Sequence, residues 1–365
     1  MAITRDLLYK VIKERWERLH PHREHAVFWG DVKSPRYSTV NRDYYFIVLD
    51  DNLDERMSPE VRYSYDNGDG GELEEYFDKY GRLQPPKIQS LASSSALTFN
   101  MFLNGNVTIT GELRDHAVHS YPAAADGEKG PESGIGNTYE VEYEKKLRVF
   151  NTGDTAANLD AYLYDTDARA IFVETKYLEW ITDEPKTLAP CYGDPSRYPA
   201  ELCEALKTLR ARINAKGFRH LDAKQLCTHI CGIYNERFYR GGLSNAPRRI
   251  TLALCYWAPD PQFFEGTCVD PAEYQAVRDE FAAECRLFTD CLTDCRPSVF
   301  DLFREKGAGF EFAAIPADRL MKITKITPGV PLAELAEDPA GALDKMSGEP
   351  RAASEFMKRY LDDTP

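Results

Sequence analysis

An acidic and a basic side chain lie two positions apart on an apolar stretch of the sequence. Residues 170–176, AIFVETK, predict a strand, and because alternate residues of a strand share a face, Glu174 and Lys176 project together. Asp160 stands fourteen positions before Glu174, at the start of the preceding predicted strand, so hairpin pairing would bring the two carboxylates close together. Two carboxylates without histidine or thiol partners form a hard oxygen site that suits Mg²⁺, with Mn²⁺ as an alternative.

The chemistry that this pattern predicts is metal-dependent hydrolysis of a phosphate ester. A divalent ion lowers the pKa of its bound water and neutralises charge that develops on the phosphate. Lys176 could orient or help to deprotonate that water, or stabilise the transition state. A third acidic ligand could come from the predicted strand at 139–144, where Glu140, Glu142 and Glu144 share one face. A bare D-x₁₃-E-x-K pattern also arises by chance, so a salt bridge at a strand end is the structural alternative.

The residues around this pattern resemble a known family. Residues 174–179, ETKYLE, are similar to the ExKYxE core of a bacterial family of restriction endonuclease-like proteins in the PD-(D/E)xK superfamily. Residues 91–102 resemble that family's serine-rich helix, with Ser95 where glutamine is usual. Residues 224–229 resemble its helix with a Gln-Leu and an Arg-His pair, with Thr228 in place of the arginine.

The resemblance spans residues 88–258 and implies a metal-dependent nuclease that hydrolyses DNA phosphodiester bonds, in restriction or defence. It implies an α/β fold with a restriction-endonuclease-like core, in which helices flank a mixed central β-sheet. It further implies Asp160, Glu174 and Lys176 as catalytic residues, with Mg²⁺ held by Asp160, Glu174 and Glu142. Among the three glutamates of the 139–144 strand, the choice of Glu142 stays open.

Two residues of the predicted helix at 222–237 complete the predicted site. By resemblance, Gln225 contacts the substrate or the catalytic groups. His229 follows four positions later, and residues with that spacing share a helix face, so it joins Gln225 as a predicted substrate-binding residue. Capping or core hydrogen bonding is the structural alternative for both.

The formal net charge of −14 disfavours binding to a polyanion, but the charge is unevenly distributed. Residues 51–80 carry ten acidic side chains against three basic ones. Residues 205–249 carry ten basic side chains against two acidic ones, with aromatic residues between them. This basic stretch predicts a nucleic-acid contact surface through Arg210, Arg212 and Arg219, and a solvated helical face is its structural alternative.

The order of predicted elements is helix, strands, helix, strand, which favours a mixed sheet covered by helices. The elements are helices at 4–19, 91–102, 198–215, 222–237 and 271–295, and strands at 44–49, 139–144, 159–164, 171–177 and 249–257. The predicted organisation is an N-terminal extension at 1–85, a nuclease-like core at 86–300 and a C-terminal extension at 301–365.

The N-terminal residues show no apolar signal region, and no apolar run approaches the length of a membrane helix, so we expect a cytoplasmic protein without a membrane partner. The nine cysteines contain no CxxC pair, which disfavours a zinc ribbon and predicts reduced thiols, with an iron–sulfur cluster as the minor alternative. DNA is the expected partner, and a homodimer is left open. An inactive nucleic-acid-binding relative and a metal-dependent enzyme acting on another substrate are the competing functions.

Overall fold

A computed structural model describes residues 3–21, 26–32, 37, 42–53, 71–78, 80–103, 105–122, 136–151, 153 and 155–326 of the chain. In chain order the strands are β1 (Tyr76–Phe77), β2 (Leu83–Gln84), β3 (Asn106–Ile109), β4 (His119–Tyr121), β5 (Asn137–Arg148), β6 (Ala156–Tyr164), β7 (Arg169–Lys176), β8 (Arg249–Tyr256), β9 (Gly309–Pro316) and β10 (Thr324–Ile326). The helices are α1 (Arg5–Leu19), α2 (Ser94–Phe102), α3 (Leu113–His116), α4 (Glu179–Thr182), α5 (Ala200–Lys216), α6 (Ala223–Asn235), α7 (Pro271–Asp294), α8 (Val299–Glu305) and α9 (Ala317–Ile323).

An eight-stranded mixed sheet organises the described residues, with strands in the order β10-β3-β5-β6-β7-β8-β9-β4. Strands β5, β6 and β7 form an antiparallel meander, and β7, β8 and β9 run parallel to one another. Strand β7 has a helix on each face, α2 on one and α6 on the other, and a strand covered in this way is a nearly continuous apolar run. Ile171 and Val173 are indeed buried. The predicted α/β class with a mixed sheet and flanking helices is therefore confirmed.

Helix α2 begins where the serines predicted a helix start. The Ser93 side chain accepts a hydrogen bond from the backbone N–H of Ala96 and caps the helix. The Thr98 hydroxyl donates to the Thr175 hydroxyl of β7 at 2.7 Å, so the helix is fixed against the central strand. Because Thr175 points to α2, its neighbours Glu174 and Lys176 point to the opposite face of the sheet.

Helix α6 covers that opposite face. The Asp222 side chain accepts from the backbone N–H of Gln225 at 2.9 Å and caps the helix at its N-terminus. Further along, Gly232 lies against Leu147 of β5, where a Cβ atom would come 2.6 Å from the leucine side chain. A glycine is needed there for close approach, and in the first turn of α6 Gln225 contacts Glu174 and Lys176 near the end of β7.

The sheet does not follow the predicted division of the chain. Strands β9 and β10 come after residue 300 and belong to the same sheet as β7, so the predicted boundary at 300 falls within the chain that builds it. Helix α1 packs into the same hydrophobic core through Leu8, Ile12 and Trp16. The predicted strand at 44–49 is absent as a regular strand, since this segment makes only isolated bridges and 3₁₀ turns.

Two predicted segments lie largely outside the described residues: the acidic stretch at 51–80, of which 54–70 and 79 are not described, and residues 327–365 of the C-terminal extension. Among the described helices, none has the length and apolar character needed to cross a lipid bilayer.

Glu311, near the start of β9, has a partly buried side chain with a buried carboxylate oxygen. Burial raises the pKa of Glu311 in β9 to about 7, although Arg114 opposes that rise; Glu112 and Asp115 add to it, and the Thr251 side chain lowers it by a hydrogen bond. Ionising Glu311 therefore costs free energy in the folded state that it does not cost in the unfolded chain.

We expect Glu311→Gln to stabilise the protein at high pH. Because the folded pKa lies above the ordinary value of 4.5, the stability contribution of Glu311 is complete below 4.5 and is lost as pH rises through about 7. The variant should gain about 1 to 3 kcal/mol relative to the parent between pH 5 and pH 8. Thermal unfolding at both pH values measures this, with Glu305→Gln as the exposed control. A gain that does not depend on pH would contradict the assignment.

Candidate active site

The hairpin of β6 and β7 brings the two predicted catalytic carboxylates together. Ala161 pairs with Val173 in this hairpin, and continuing the register by one residue places Asp160 opposite Glu174. The Asp160 Oδ2 atom accepts a hydrogen bond from the backbone N–H of Thr175 at 2.6 Å, which fixes its carboxylate beside the strand. The spacing of the two acidic residues in the sequence therefore corresponds to a cross-strand pair.

Glu174 is buried, with 3% of its surface exposed, and both of its carboxylate oxygens have polar neighbours. Lys176 Nζ and Gln225 Nε2 each donate to Glu174 Oε1 at 2.7 Å. His229 Nε2 lies 2.7 Å from Oε2. Lys176 Nζ also donates to Gln225 Oε1 at 2.7 Å, so the amide of Gln225 bridges the acid and the base. Gln225 of α6 therefore fixes the positions of Glu174 and Lys176 of β7 relative to each other.

These contacts control the charge of Glu174 and Lys176. Burial alone would raise the pKa of Glu174, but Lys176 and His229 outweigh burial and lower it to about 2. Burial alone would lower the pKa of Lys176, but the charges of Glu174, Glu179 and Asp160 raise it above its ordinary value. Both groups are therefore charged at neutral pH, and Lys176 is an ammonium group that donates hydrogen bonds.

Asp160 has the opposite electrostatic environment. Burial and the charge of Glu174 together raise the pKa of Asp160 well above its ordinary value, although Lys176 and the Thr175 N–H oppose the rise. Two carboxylates this close repel each other unless a positive charge lies between them. Without a further cation, the pair favours a proton on Asp160.

The structure corrects the predicted role of His229. Its side chain is buried, with 1% of its surface exposed, so it cannot reach a substrate from the surface. It contacts Glu174 instead, and its Nδ1 atom has no hydrogen-bond partner among the described residues. His229 is therefore a positioning residue for Glu174. Gln225 is partly exposed, and so keeps access to a bound molecule.

Glu142 is not brought to the carboxylate pair. It pairs across the sheet with Tyr162, and its side chain forms an ion pair with Lys145 at 2.8 Å. Because Tyr143 pairs with Ala161 and Lys145 with Leu159, the residue opposite Asp160 is Glu144. Glu144 has a backbone φ of 52°, which is unusual for a residue with a side chain and occurs often at functional sites.

Within the described ranges, no three histidine, cysteine, aspartate or glutamate side chains lie close enough together to hold a metal ion. Among the residues that the structure describes, the Asp160 and Glu174 carboxylates remain as the candidate protein ligands. Mg²⁺ is commonly bound in this way, through one or two carboxylates, with water and substrate phosphate as its other ligands. The donor set fits this ion, and it does not form a complete cage of protein ligands.

A cavity of about 210 Å³ opens beside Glu174 and Lys176. Its wall includes Gln225 and four further acidic residues: Glu179, Asp183, Glu184 and Asp222. Glu179 has an effect that the sequence did not reveal, because its charge acts on both Asp160 and Lys176. Glu179 is the last residue of the ETKYLE stretch, and its Oε2 atom accepts a hydrogen bond from the backbone N–H of Tyr177 at 2.6 Å. The acidic wall favours cations over free anions at this opening.

The three predicted DNA-contacting arginines are mostly separated from this cavity. Arg210 donates to the backbone carbonyl of Pro190, and Arg212 forms an ion pair with Asp294 at the end of α7. Asp294 lies thirteen residues beyond the cavity residue Phe281, about 20 Å along the helix. Arg219 alone adjoins the cavity wall, next to His220, and it pairs with Glu280 at 3.8 Å.

The burial of Glu174 beside Lys176 makes this residue important for stability. Removing its charge would leave the Lys176 ammonium without its nearest counter-charge, so a replacement of Glu174 would not leave folding unaffected. A replacement of Asp160 is expected to disturb folding less, because the ionised form of Asp160 is already disfavoured.

Compared with family models, with curated proteins and with solved structures, the chain has no match in any of the three.

Proposed function

We propose that the chain is a metal-dependent nuclease that hydrolyses phosphodiester bonds in DNA, with Asp160, Glu174 and Lys176 at its active site. The observation that carries the proposal is the grouping of these side chains. Two carboxylates oppose each other across β6 and β7, and a charged lysine is held 2.7 Å from one of them at the opening of a cavity. This is the arrangement that the pattern and the resemblance both predict.

The order of elements supports the proposal. Helix α2, the meander β5-β6-β7, helix α6 and strand β8 occur in this order along the chain, with β3, α3 and β4 after α2 and with α4 and α5 before α6. This agrees with the predicted order of helix, strands, helix, strand. Asp160 lies in the middle of β6, Glu174 and Lys176 lie among the last three residues of β7, and α6 supplies Gln225. A restriction-endonuclease-like core is the finer fold that we propose within the α/β class.

Asp160 and Glu174 would hold Mg²⁺ or Mn²⁺. When bound, such an ion supplies a water of lowered pKa and neutralises charge on the phosphate. Asp160 must release the proton that its environment favours before its carboxylate can serve as a ligand. Gln225 would keep Glu174 and Lys176 at a fixed spacing through this exchange, because its amide hydrogen bonds to both side chains.

The charge of Lys176 supports one of the roles that the sequence left open. Because its pKa is raised, the ammonium group keeps its proton at neutral pH and cannot accept one from water. Its role is then to donate a hydrogen bond to a phosphate oxygen and to stabilise the charge that develops there. This stabilisation depends on the position that Glu174 and Gln225 give to Nζ.

A specific observation favours a second candidate, a metal-dependent phosphodiesterase for a small substrate. The predicted basic surface is largely engaged in intramolecular contacts, and the cavity wall is acidic. Such a site could accept a compact phosphodiester without the extended basic groove that a duplex uses.

The deciding experiment compares two substrates. The purified protein is incubated with supercoiled plasmid and, separately, with bis(p-nitrophenyl) phosphate, each with Mg²⁺ or Mn²⁺ and with EDTA as the control. We expect nicking of the plasmid that EDTA stops and that the Asp160→Asn variant lacks. Hydrolysis of the small diester alone would favour the second candidate, and no hydrolysis of either would reject both.

A further inference from the structure

A larger cavity lies at the opposite end of the central strands. Its volume is about 400 Å³, within the range of small-molecule sites, and its wall includes the first residues of three parallel strands: Arg169 of β7, Arg249 of β8 and Gly309 of β9. Glu174 follows Arg169 by five residues, about 17 Å along the strand, so this cavity is separate from the candidate active site.

The register of the strands places two arginines side by side in this cavity. Arg169 pairs with Arg249, and strands in a sheet lie about 4.8 Å apart. Like charges directly opposite each other are unfavourable, and an anion between them would remove the repulsion. Gly309 pairs with Arg249 on its other side and contributes no side chain, which leaves space beside the guanidinium groups. A third arginine, Arg114, also lines the cavity, and it forms an ion pair at 3.8 Å with Glu112 of the same wall.

Arg169 is incompletely satisfied by the protein. Its Nε and Nη1 atoms are buried and have no hydrogen-bond partner among the described residues. The nearest carboxylate oxygens lie 3.7 Å from Nε, on Asp165, and 3.8 Å from Nη2, on Asp167, which is beyond hydrogen-bonding distance. Arg169 also interacts with the Tyr139 hydroxyl. A partly buried guanidinium with unused N–H groups suits a phosphate or carboxylate ligand.

The rest of the cavity indicates what the anion is attached to. Ile171 and Leu113 are buried apolar residues of its wall and would contact an organic group. Glu311 lies two positions after Gly309, pairs with Thr251, and has a buried Oε1 atom without a hydrogen-bond partner among the described residues. This oxygen could accept a hydrogen bond from a hydroxyl or amino group of the ligand. Glu311 lies two positions further along the strands than the paired residues Arg169 and Arg249.

We propose that this cavity binds a phosphate monoester of mononucleotide size. The Arg169 and Arg249 guanidinium groups hold its phosphate, and Glu311 accepts a hydrogen bond from its organic part. A monoester carries a charge of about −1.5 to −2 at neutral pH, which matches two guanidinium groups better than a singly charged carboxylate does. The proposal does not depend on the nuclease assignment.

Calorimetry with the full chain in EDTA tests this site, because without divalent ions the carboxylate pair cannot recruit a phosphate. The probes are adenosine 5′-monophosphate, adenosine and inorganic phosphate. We expect the monophosphate to bind with a Kd below about 1 mM, and at least tenfold more tightly than either of the other two. Equal binding of adenosine, equal binding of inorganic phosphate, or no binding of the monophosphate would overturn the proposal.

Two variants and one matched control locate the binding. Arg249→Gln should weaken binding of the monophosphate at least tenfold, whereas Arg248→Gln, an exposed neighbour outside the cavity wall, should leave it unchanged. Gly309→Val keeps every arginine and fills the space beside Arg249, where an added Cβ meets only the Arg248 carbonyl oxygen, at 3.8 Å. It should abolish binding while the protein remains folded by thermal melting. An equal loss in Arg248→Gln, or full binding by Gly309→Val, would contradict the site.

Discussion

Asp160→Asn is expected to abolish divalent-ion-dependent cleavage while leaving the protein as stable as the parent, or more stable. Asparagine keeps the oxygen that accepts from the Thr175 N–H, so the strand contact survives. It removes one of the two candidate protein ligands, and we expect the cleavage rate to fall at least about 10³-fold, which corresponds to about 4 kcal/mol of activation free energy. Stability should not fall, because burial and Glu174 already disfavour a charge at this position.

Glu174→Gln is the informative comparison, because it should lose both activity and stability. The glutamate is the counter-charge of the Lys176 ammonium and contacts His229, and breaking such a buried pair costs about 3 to 5 kcal/mol. Plasmid nicking, calorimetric titration with Mn²⁺ and thermal melting of both variants measure these effects. If Asp160→Asn cleaves DNA like the parent, the carboxylate pair does not bind a catalytic metal, and a structural role takes its place.

The central part of this arrangement could be predicted from local sequence alone. The apolar run before Glu174 predicts a buried strand, the Asp165-Thr166-Asp167 turn predicts a hairpin, and a two-residue period then puts Glu174 and Lys176 on one face. In the structure the turn is closed by the Asp165 side chain, which accepts from the backbone N–H groups of Asp167 and Arg169. These features depend on neighbours within a few positions, which is why they are visible in the sequence.

The parts that could not be predicted depend on distant contacts. Strand β9, GFEFAAIP, is a short apolar run, and its pairing with β8 on one side and β4 on the other identifies it as a strand. The choice between Glu142 and Glu144 depends on the register of β5 against β6, because the pairing decides which of the two glutamates lies opposite Asp160. The burial of His229 depends on how α6 crosses the sheet.

The arginines show the same limit for charge. A net excess of basic residues at 205–249 is a property of composition, and it predicts a surface only if the side chains face one direction. In the structure Arg210 and Arg212 make contacts with the backbone and with α7, away from the cavity. The candidate site is instead defined by a lysine whose position no charge count reveals.

Lys176→Met is expected to slow cleavage by about 10² or more while the protein still binds Mn²⁺. Methionine keeps much of the apolar stem and removes the ammonium group, so the change concerns the charge beside the reacting phosphate and no candidate metal ligand. Losing one electrostatic stabiliser of a transition state typically has an effect of this size. Stability should also fall, because Glu174 and Gln225 lose a donor that each contacts at 2.7 Å.

The matched control is Lys207→Met, which removes a surface lysine that pairs with Glu204 on α5 and lies outside the cavity wall. It should leave cleavage, metal affinity and stability close to those of the parent, since exposed ion pairs contribute little. A purely structural lysine at position 176 would lower stability without slowing the protein that remains folded. Cleavage per folded molecule therefore separates the two roles: a rate equal to that of the parent would show that Lys176 only supports the fold, and a hundredfold loss with intact Mn²⁺ binding would place its ammonium group in the chemical step.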